Sequence, residues 1–135
     1  MNPTYPDDLL YTKDHEWARI EERGGQTLAT IGISTFAVDQ LCDVTQVDLP
    51  KKGDALEQGG AFGSVESVKA VSDLFAPVSG TVVEVNARLS GAPECVNDDP
   101  YGDGWMVQVQ MKQRDELQRL MTAEGYRVFV REQAH

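Results

Sequence analysis

No stretch of the 135-residue chain is apolar for long enough to span a bilayer, which excludes a transmembrane helix. Cysteine is scarce. Cys42 and Cys95 make no disulfide framework, and both are expected as buried or half-buried free thiols. Histidine is equally scarce. His15 has no second histidine at metal-ligand spacing and His135 ends the chain, so no metal site is expected and His15 reads as structural. Gly59, Gly60 and Gly63 are not followed by Gly-Lys-Ser/Thr, which excludes a phosphate loop of that type. Basic residues are outnumbered, 12 against 22 acidic, giving a net charge of −10. That field repels nucleic acid and anionic membrane, maintains solubility and favours docking to basic protein surfaces. The opening residues, Met1 to Asp8, have neither a basic apolar secretion signal nor an Arg- and Ser-rich transit character, so the cytoplasm of a prokaryote is expected.

What remains is ordinary for a globular protein: 41% hydrophobic, 25% charged and 12 glycines. The length suits one domain over residues 1–135 with its own core. Most of the chain reads as short strands. Trp17 to Glu22 and Thr27 to Ile33 flank a turn at Arg23-Gly24-Gly25-Gln26. Ser34 or Thr35 can cap a short helix over about 35–41. Val44 to Leu49 is extended and ends at Pro50, and Gly53 marks a tight turn. Thr81 to Val85 is β-branched, residues 86–104 read as loop, and Val107, Val109 and Met111 share one face of a last strand. The tail, about 114–131, changes to helical spacing at Leu117, Leu120 and Met121, with Gly125 as its expected stop.

The chemistry sits in a hairpin predicted over about 61–80, with Ala61 to Val68 and Ala70 to Phe75 as its arms and Lys69 between them. A lysine at a hairpin tip is reachable by a modifying enzyme, whereas one at a strand centre is not. Its neighbours Val68, Ala70 and Val71 are apolar, an odd choice for a solvated turn, and Glu66 and Asp73 place carboxylates on both sides. From spacing alone, a turn lysine is ordinarily just solvated.

The run Val65-Glu66-Ser67-Val68-Lys69-Ala70-Val71-Ser72-Asp73 resembles the lipoylation segment of the glycine cleavage H-protein family. Tyr11-Thr12-Lys13-Asp14-His15-Glu16-Trp17, Ala29-Thr30-Ile31-Gly32-Ile33, Ala76-Pro77-Val78-Ser79-Gly80, Val83-Glu84-Val85-Asn86 and the stretch from Asn97 to Trp105 extend the likeness in family order over nearly the whole chain. The resemblance implies a mainly β barrel-sandwich hybrid of the biotinyl/lipoyl kind, made of two antiparallel sheets with a short helix and a C-terminal helix. It also implies lipoate joined to Lys69 as an amide, on a carrier that performs no turnover of its own. The implied partners are a pyridoxal-phosphate glycine decarboxylase, an aminomethyltransferase and a dihydrolipoyl dehydrogenase, together with a lipoate ligase or a lipoyl synthase/transferase; a monomer is expected. By the same resemblance Asp14, Glu16 and Asp73 receive the ammonium of the aminomethyl-loaded arm, and Glu66 and Gly53 serve recognition by the lipoylating enzyme. Gly53 has an equally good plain explanation as a turn former.

The chain departs from the family where Cys42 replaces a usual glycine and Thr45-Gln46 replaces an apolar pair. By the family fold this segment lies near the resting place of the arm, and thiolates exchange with disulfides. Cys42 is thus a possible arm contact, with small apolar filler as the plain reading. The departure keeps alternatives open: a lipoate-relay protein, or a carrier of sulfur intermediates for a heterodisulfide-reductase-like complex in bacterial sulfur oxidation. An unmodified structural module is a third, against which the intact Glu66, Lys69 and Gly80 argue.

Overall fold

A computed structural model describes residues 5–133 of the protein. In chain order its first half forms β1 (Leu10–Tyr11), β2 (Glu16–Arg23), β3 (Gln26–Ile33), α1 (Thr35–Leu41), β4 (Val44–Asp48), β5 (Ala55–Leu56) and β6 (Ala61–Ser67). Next come β7 (Val71–Phe75), β8 (Gly80–Val85), α2 (Arg88–Gly91), α3 (Cys95–Asp98), β9 (Val107–Met111), a 3₁₀ helix (Arg114–Arg119) and α4 (Ala123–Gln133).

The strands make two antiparallel sheets, one in the order β1-β2-β3-β9-β8-β5 and the other β4-β6-β7. Local chemistry fixes the first hairpin. Gly24 and Gly25, at φ 59° and 79°, supply the two positive values that a two-residue primed turn needs, and Arg23 pairs with Gln26 across it. Between the sheets lies one apolar core in which Ile31, Val65, Val107 and Val109 are wholly buried. Burying such side chains is worth roughly 1.5–3 kcal/mol each, which is why the alternation in β9 settles its register against β3 and β8. The fold is the mainly β barrel-sandwich hybrid that the resemblance implies, with the short helix over Thr35–Leu41 and a helix at the C-terminal end.

Several expectations need correction. Residues 86–104 are not simply loop: α2 and α3 form there, because Leu89 and Val96 each drive one buried anchor into the core. The tail is not one helix stopped by Gly125. The 3₁₀ helix ends at Arg119, the backbone of Leu120 is extended, and Tyr11 and Met121 then exchange two backbone hydrogen bonds of 2.8 Å. Helix α4 starts afresh, with the Thr122 hydroxyl accepting from the Gly125 amide at 3.2 Å, so Gly125 lies in its first turn. Ser34 occupies the N-cap position of α1, but its hydroxyl bonds the Tyr126 hydroxyl at 2.6 Å instead of the helix.

A second cluster ties the tail to the first strands. Tyr11 stacks on Tyr126 with ring centroids 4.5 Å apart, and Tyr5, Leu9, Trp17 and Val130 are buried around them. His15 places Nδ1 2.7 Å from the Tyr126 hydroxyl, a structural part of this cluster. The second histidine, His135, lies outside the described residues.

Candidate functional site

The hairpin of β6 and β7 projects Lys69 from its tip. Register pairs Glu66 with Val71, Val65 with Ser72 and Ser64 with Asp73, leaving residues 68–70 to turn the chain. One side chain holds that turn. The hydroxyl of Ser67 accepts from the amides of Lys69 and Ala70, at 3.2 and 3.0 Å, and donates to the Ala70 carbonyl at 3.2 Å. The Val68 amide donates to the Asp43 carbonyl at 3.1 Å, and the Thr45 hydroxyl to the Glu66 carbonyl at 3.1 Å, so the segment after α1 braces the tip. Lys69 is exposed on this rigid base. Beside it Val68 and Val71 are 70% and 64% exposed, an apolar collar that the core does not use. Ser67 was not singled out in the sequence, although a serine three residues before the end of a tight turn is a known local hydrogen-bonding signal.

The outer face of β7 leads away from the tip. Leu74 points into the core, so Val71, Asp73 and Phe75 share the opposite face. Phe75 then lines an open cleft of about 560 Å³, whose walls also come from the β1–β2 turn, the 3₁₀ helix and α4. The side chain of Glu16 forms the floor. It is 2% exposed and hydrogen-bonded on both oxygens, by the Thr12 hydroxyl at 2.9 Å and by the Phe75 amide at 3.3 Å. Burial pushes its carboxyl up to about 8, against the opposing pull of the Thr12 and Phe75 hydrogen bonds, and the nearby Asp14 adds to the rise. Asp14 is exposed at the rim.

One wall is built by residues the sequence did not flag. Glu116 accepts from the amide and hydroxyl of Ser79, both at 2.7 Å. Gln58 donates to the carbonyls of Pro77 and Glu116, at 2.9 and 3.2 Å, and accepts from Arg119 at 3.0 Å. These bonds hold the 3₁₀ helix over the cleft. No local pattern announces them, because their partners lie between 19 and 61 residues apart.

The expected site residues therefore divide. Asp14 and Glu16 both line the cleft, Asp73 does not line it but lies on β7 two residues before Phe75, and Glu66 is exposed on β6 three residues before Lys69. Gly53 adopts φ 97° and donates to the Val82 carbonyl at 2.8 Å, with open space where a Cβ would stand. No hydrogen bond or strand pairing joins it to the hairpin tip among the described residues. Cys42 corrects an expectation: it is exposed, whereas Cys95 is half-buried. Its backbone has φ 63° and ψ −139°, and its sulfur sits 3.9 Å from the Asp39 carbonyl. Cys42 does not line the cleft, but the next residue carries the carbonyl that braces Val68. Among the described residues no group of three His, Cys, Asp or Glu could hold a metal ion, and no helix is long and apolar enough to cross a membrane.

An exposed lysine at a hairpin tip and a cleft further along the same strand together suit a carrier of a tethered group. The family model for the glycine cleavage H-protein matches residues 9–133. The chain belongs to this family. It is 52% identical over 128 residues to the glycine cleavage system H protein of Anaeromyxobacter sp. (strain K), covering 95% of this chain and 97% of that protein. The corresponding protein of Cyanothece sp. (strain PCC 7425 / ATCC 29141) is 48% identical over 130 residues, covering 96% and 98%. The crystal structure of a glycine cleavage system H protein from Mycobacterium marinum superposes with a TM-score of 0.80 at 35% identity, over 97% of this chain and all of that one. The function is accordingly that of an H-protein lipoyl carrier, working as a component of the glycine cleavage system.

Proposed function

We propose that Lys69 carries lipoate in amide linkage, and that the arm shuttles an aminomethyl group and reducing equivalents between partner enzymes in the cytoplasm. The observation that supports this most is the exposed Lys69 on a turn locked by Ser67, at the head of a strand whose outer face runs into the cleft. Lipoate supplies a dithiolane that can be reduced and can take a one-carbon unit on sulfur. The residues suit such a group: Val68 and Val71 offer apolar surface at its root, and Phe75, Pro77, Met121 and Phe129 line an apolar resting place. Asp14 and Glu16 at the cleft, with Asp73 on its approach, receive the cargo's ammonium, and the cleft walls keep water from the labile carbon–sulfur bond.

Glu66, and Gly53 through its turn, guide the lipoylating enzyme, a lipoate ligase or a lipoyl synthase/transferase. The partners in turnover are a pyridoxal-phosphate glycine decarboxylase, an aminomethyltransferase and a dihydrolipoyl dehydrogenase, and the chain itself catalyses nothing. A carrier for a sulfur-oxidation complex is the less supported reading, since Cys42 neither lines the cleft nor hydrogen-bonds the hairpin. Intact mass and peptide mapping of the protein from its native host test the proposal. One lipoyl group on the Lys69 peptide is expected, together with glycine-dependent carbon dioxide exchange by the modified protein; an unmodified Lys69 sinks the proposal.

A further inference from the structure

Among the described residues Glu16 carries the only carboxyl buried against the cleft, and its hydrogen bonds limit its protonation chemistry. The Thr12 hydroxyl already accepts from the amides of Asp14 and Glu16, at 3.2 and 3.1 Å, so both lone pairs are taken and its proton is committed to Glu16. The other oxygen receives the Phe75 amide. Both protein partners are therefore donors, and the acid proton of a neutral Glu16 has to turn toward the cleft. No cation among the described residues forms an ion pair with it; the ion pairs lie elsewhere on the surface. The titratable groups around it are Asp14 and Lys13 from the β1–β2 turn and Tyr11 from β1. Arg119 comes from the 3₁₀ helix, Asp73 lies on the adjoining face of β7, and Tyr126 of α4 and His15 lie beneath. Lys13 and Arg119 are exposed at the rim and leave the floor without a counter-ion.

We propose that Glu16 exchanges one proton with solvent in each carrier cycle, neutral while the cleft is empty and ionised when the aminomethyl ammonium docks on it. This rests on the docking reading above. On docking, the O–H bond of Glu16 breaks, its electron pair stays on oxygen and the proton leaves to water. The ammonium keeps its three protons and becomes the counter-ion, and no electron changes hands. Unloading reverses the exchange. With a carboxyl that burial pushes up to about 8, the empty form is mostly protonated at pH 7.

The test uses lipoylated protein, reduced and then loaded with formaldehyde and ammonium. That loading converts thiol, formaldehyde and ammonium into aminomethyl thioether and water, with no net proton. Carbon-13 NMR of glutamate carboxyls, with Glu16 assigned by its absence in Glu16→Gln, follows the group directly in the wild type. A midpoint near pH 8 is expected in the unloaded form, against a carboxylate that stays ionised down to at least pH 6 when loaded, a hundredfold fall in proton affinity. Loading at pH 7 should release protons, up to one per chain, and none from free dihydrolipoamide or from Glu16→Gln. Equal midpoints in both forms, with Met121 and Phe129 resonances shifted by loading, overturn the proton exchange while the docking reading stands. Loading that leaves Met121 and Phe129 unmoved overturns both.

Discussion

The Phe75 amide donates to the buried carboxyl of Glu16 at 3.3 Å, joining the last residue of β7 to the first residue of β2. Strand β7 is an edge of its sheet, where an amide would ordinarily face water or another chain. Here the edge is closed by a side chain of the other sheet. The same contact couples the hairpin that bears Lys69 to the cleft that its arm would occupy.

Stability should therefore depend on pH through Glu16. Its folded-state carboxyl, near 8, is raised above the ordinary carboxylate range, so the folded protein retains a proton that the unfolded chain loses first. The contribution is full below that range, declines as pH rises through it to about 8, and is flat above. Each fully linked proton changes stability by about 1.4 kcal/mol per pH unit. Urea unfolding midpoints between pH 5 and pH 8.5 should fall in the wild type and stay flatter in Glu16→Gln. Identical slopes would assign the dependence to another group.

Ser67 is expected to matter more to the tip than to the whole fold. Ser67→Ala removes one hydroxyl that serves three backbone groups, at a cost of about 1–2 kcal/mol. Hydrogen exchange should accelerate most at the Lys69 and Ala70 amides, with β9 amides little changed. Lipoylation of Lys69 should slow, because a loosened turn no longer presents the amine in one geometry. Uniform acceleration over both sheets would mean that Ser67 supports the core and not the tip.

Tyr126 holds the tail in place through two buried contacts. Tyr126→Phe keeps the stacking on Tyr11 but leaves the wholly buried Ser34 hydroxyl and the His15 ring nitrogen without their partner. An unsatisfied buried polar group costs about 1–3 kcal/mol, so a loss of about 2–4 kcal/mol is expected in urea denaturation. Since α4 lends Phe129 to the cleft, tryptic cleavage at Arg127 and Arg131 should also speed up. A loss under about 0.5 kcal/mol, the size of an ordinary surface change, would show that the hydroxyl is dispensable.

Much of this was legible in the sequence, for reasons that particular residues make plain. Val107, Val109 and Met111 alternate because β9 buries one face, whereas Lys69 stands out through the family resemblance of the segment around it and not through its spacing. The strands β1 and β5, two residues each, leave no period to read, and α2 and α3 rest on one anchor apiece. Most of the cleft was hidden for a different reason. Asp14, His15 and Glu16 are adjacent polar residues of similar appearance, yet one is exposed, one packs on aromatic rings and one is buried. What separates Glu16 is a backbone amide 59 residues away. Periodicity reads faces of local elements and is blind to such long-range pairs.

Cys42 stands in backbone that favours glycine, with φ 63° and ψ −139°, and among the described residues its side chain makes only a weak contact, to the Asp39 carbonyl. A side chain in this region costs on the order of 1–3 kcal/mol. Cys42→Gly should then stabilise the protein by about 1 kcal/mol after the entropy gained by the unfolded glycine is subtracted, whereas Cys42→Ala should gain nothing, since alanine meets the same clash. Equal shifts in the two variants would place the effect on the thiol and not the backbone. The exposed Cys42 should also react with a thiol reagent faster than the half-buried Cys95. Cys42 lies one residue from the carbonyl that braces the tip, so a role toward a lipoyl arm on Lys69 can be tested there. The rate at which dithiol reductants open the lipoyl ring in Cys42→Gly decides it: an unchanged rate dismisses the contact, and a changed one makes Cys42 part of the arm's redox chemistry.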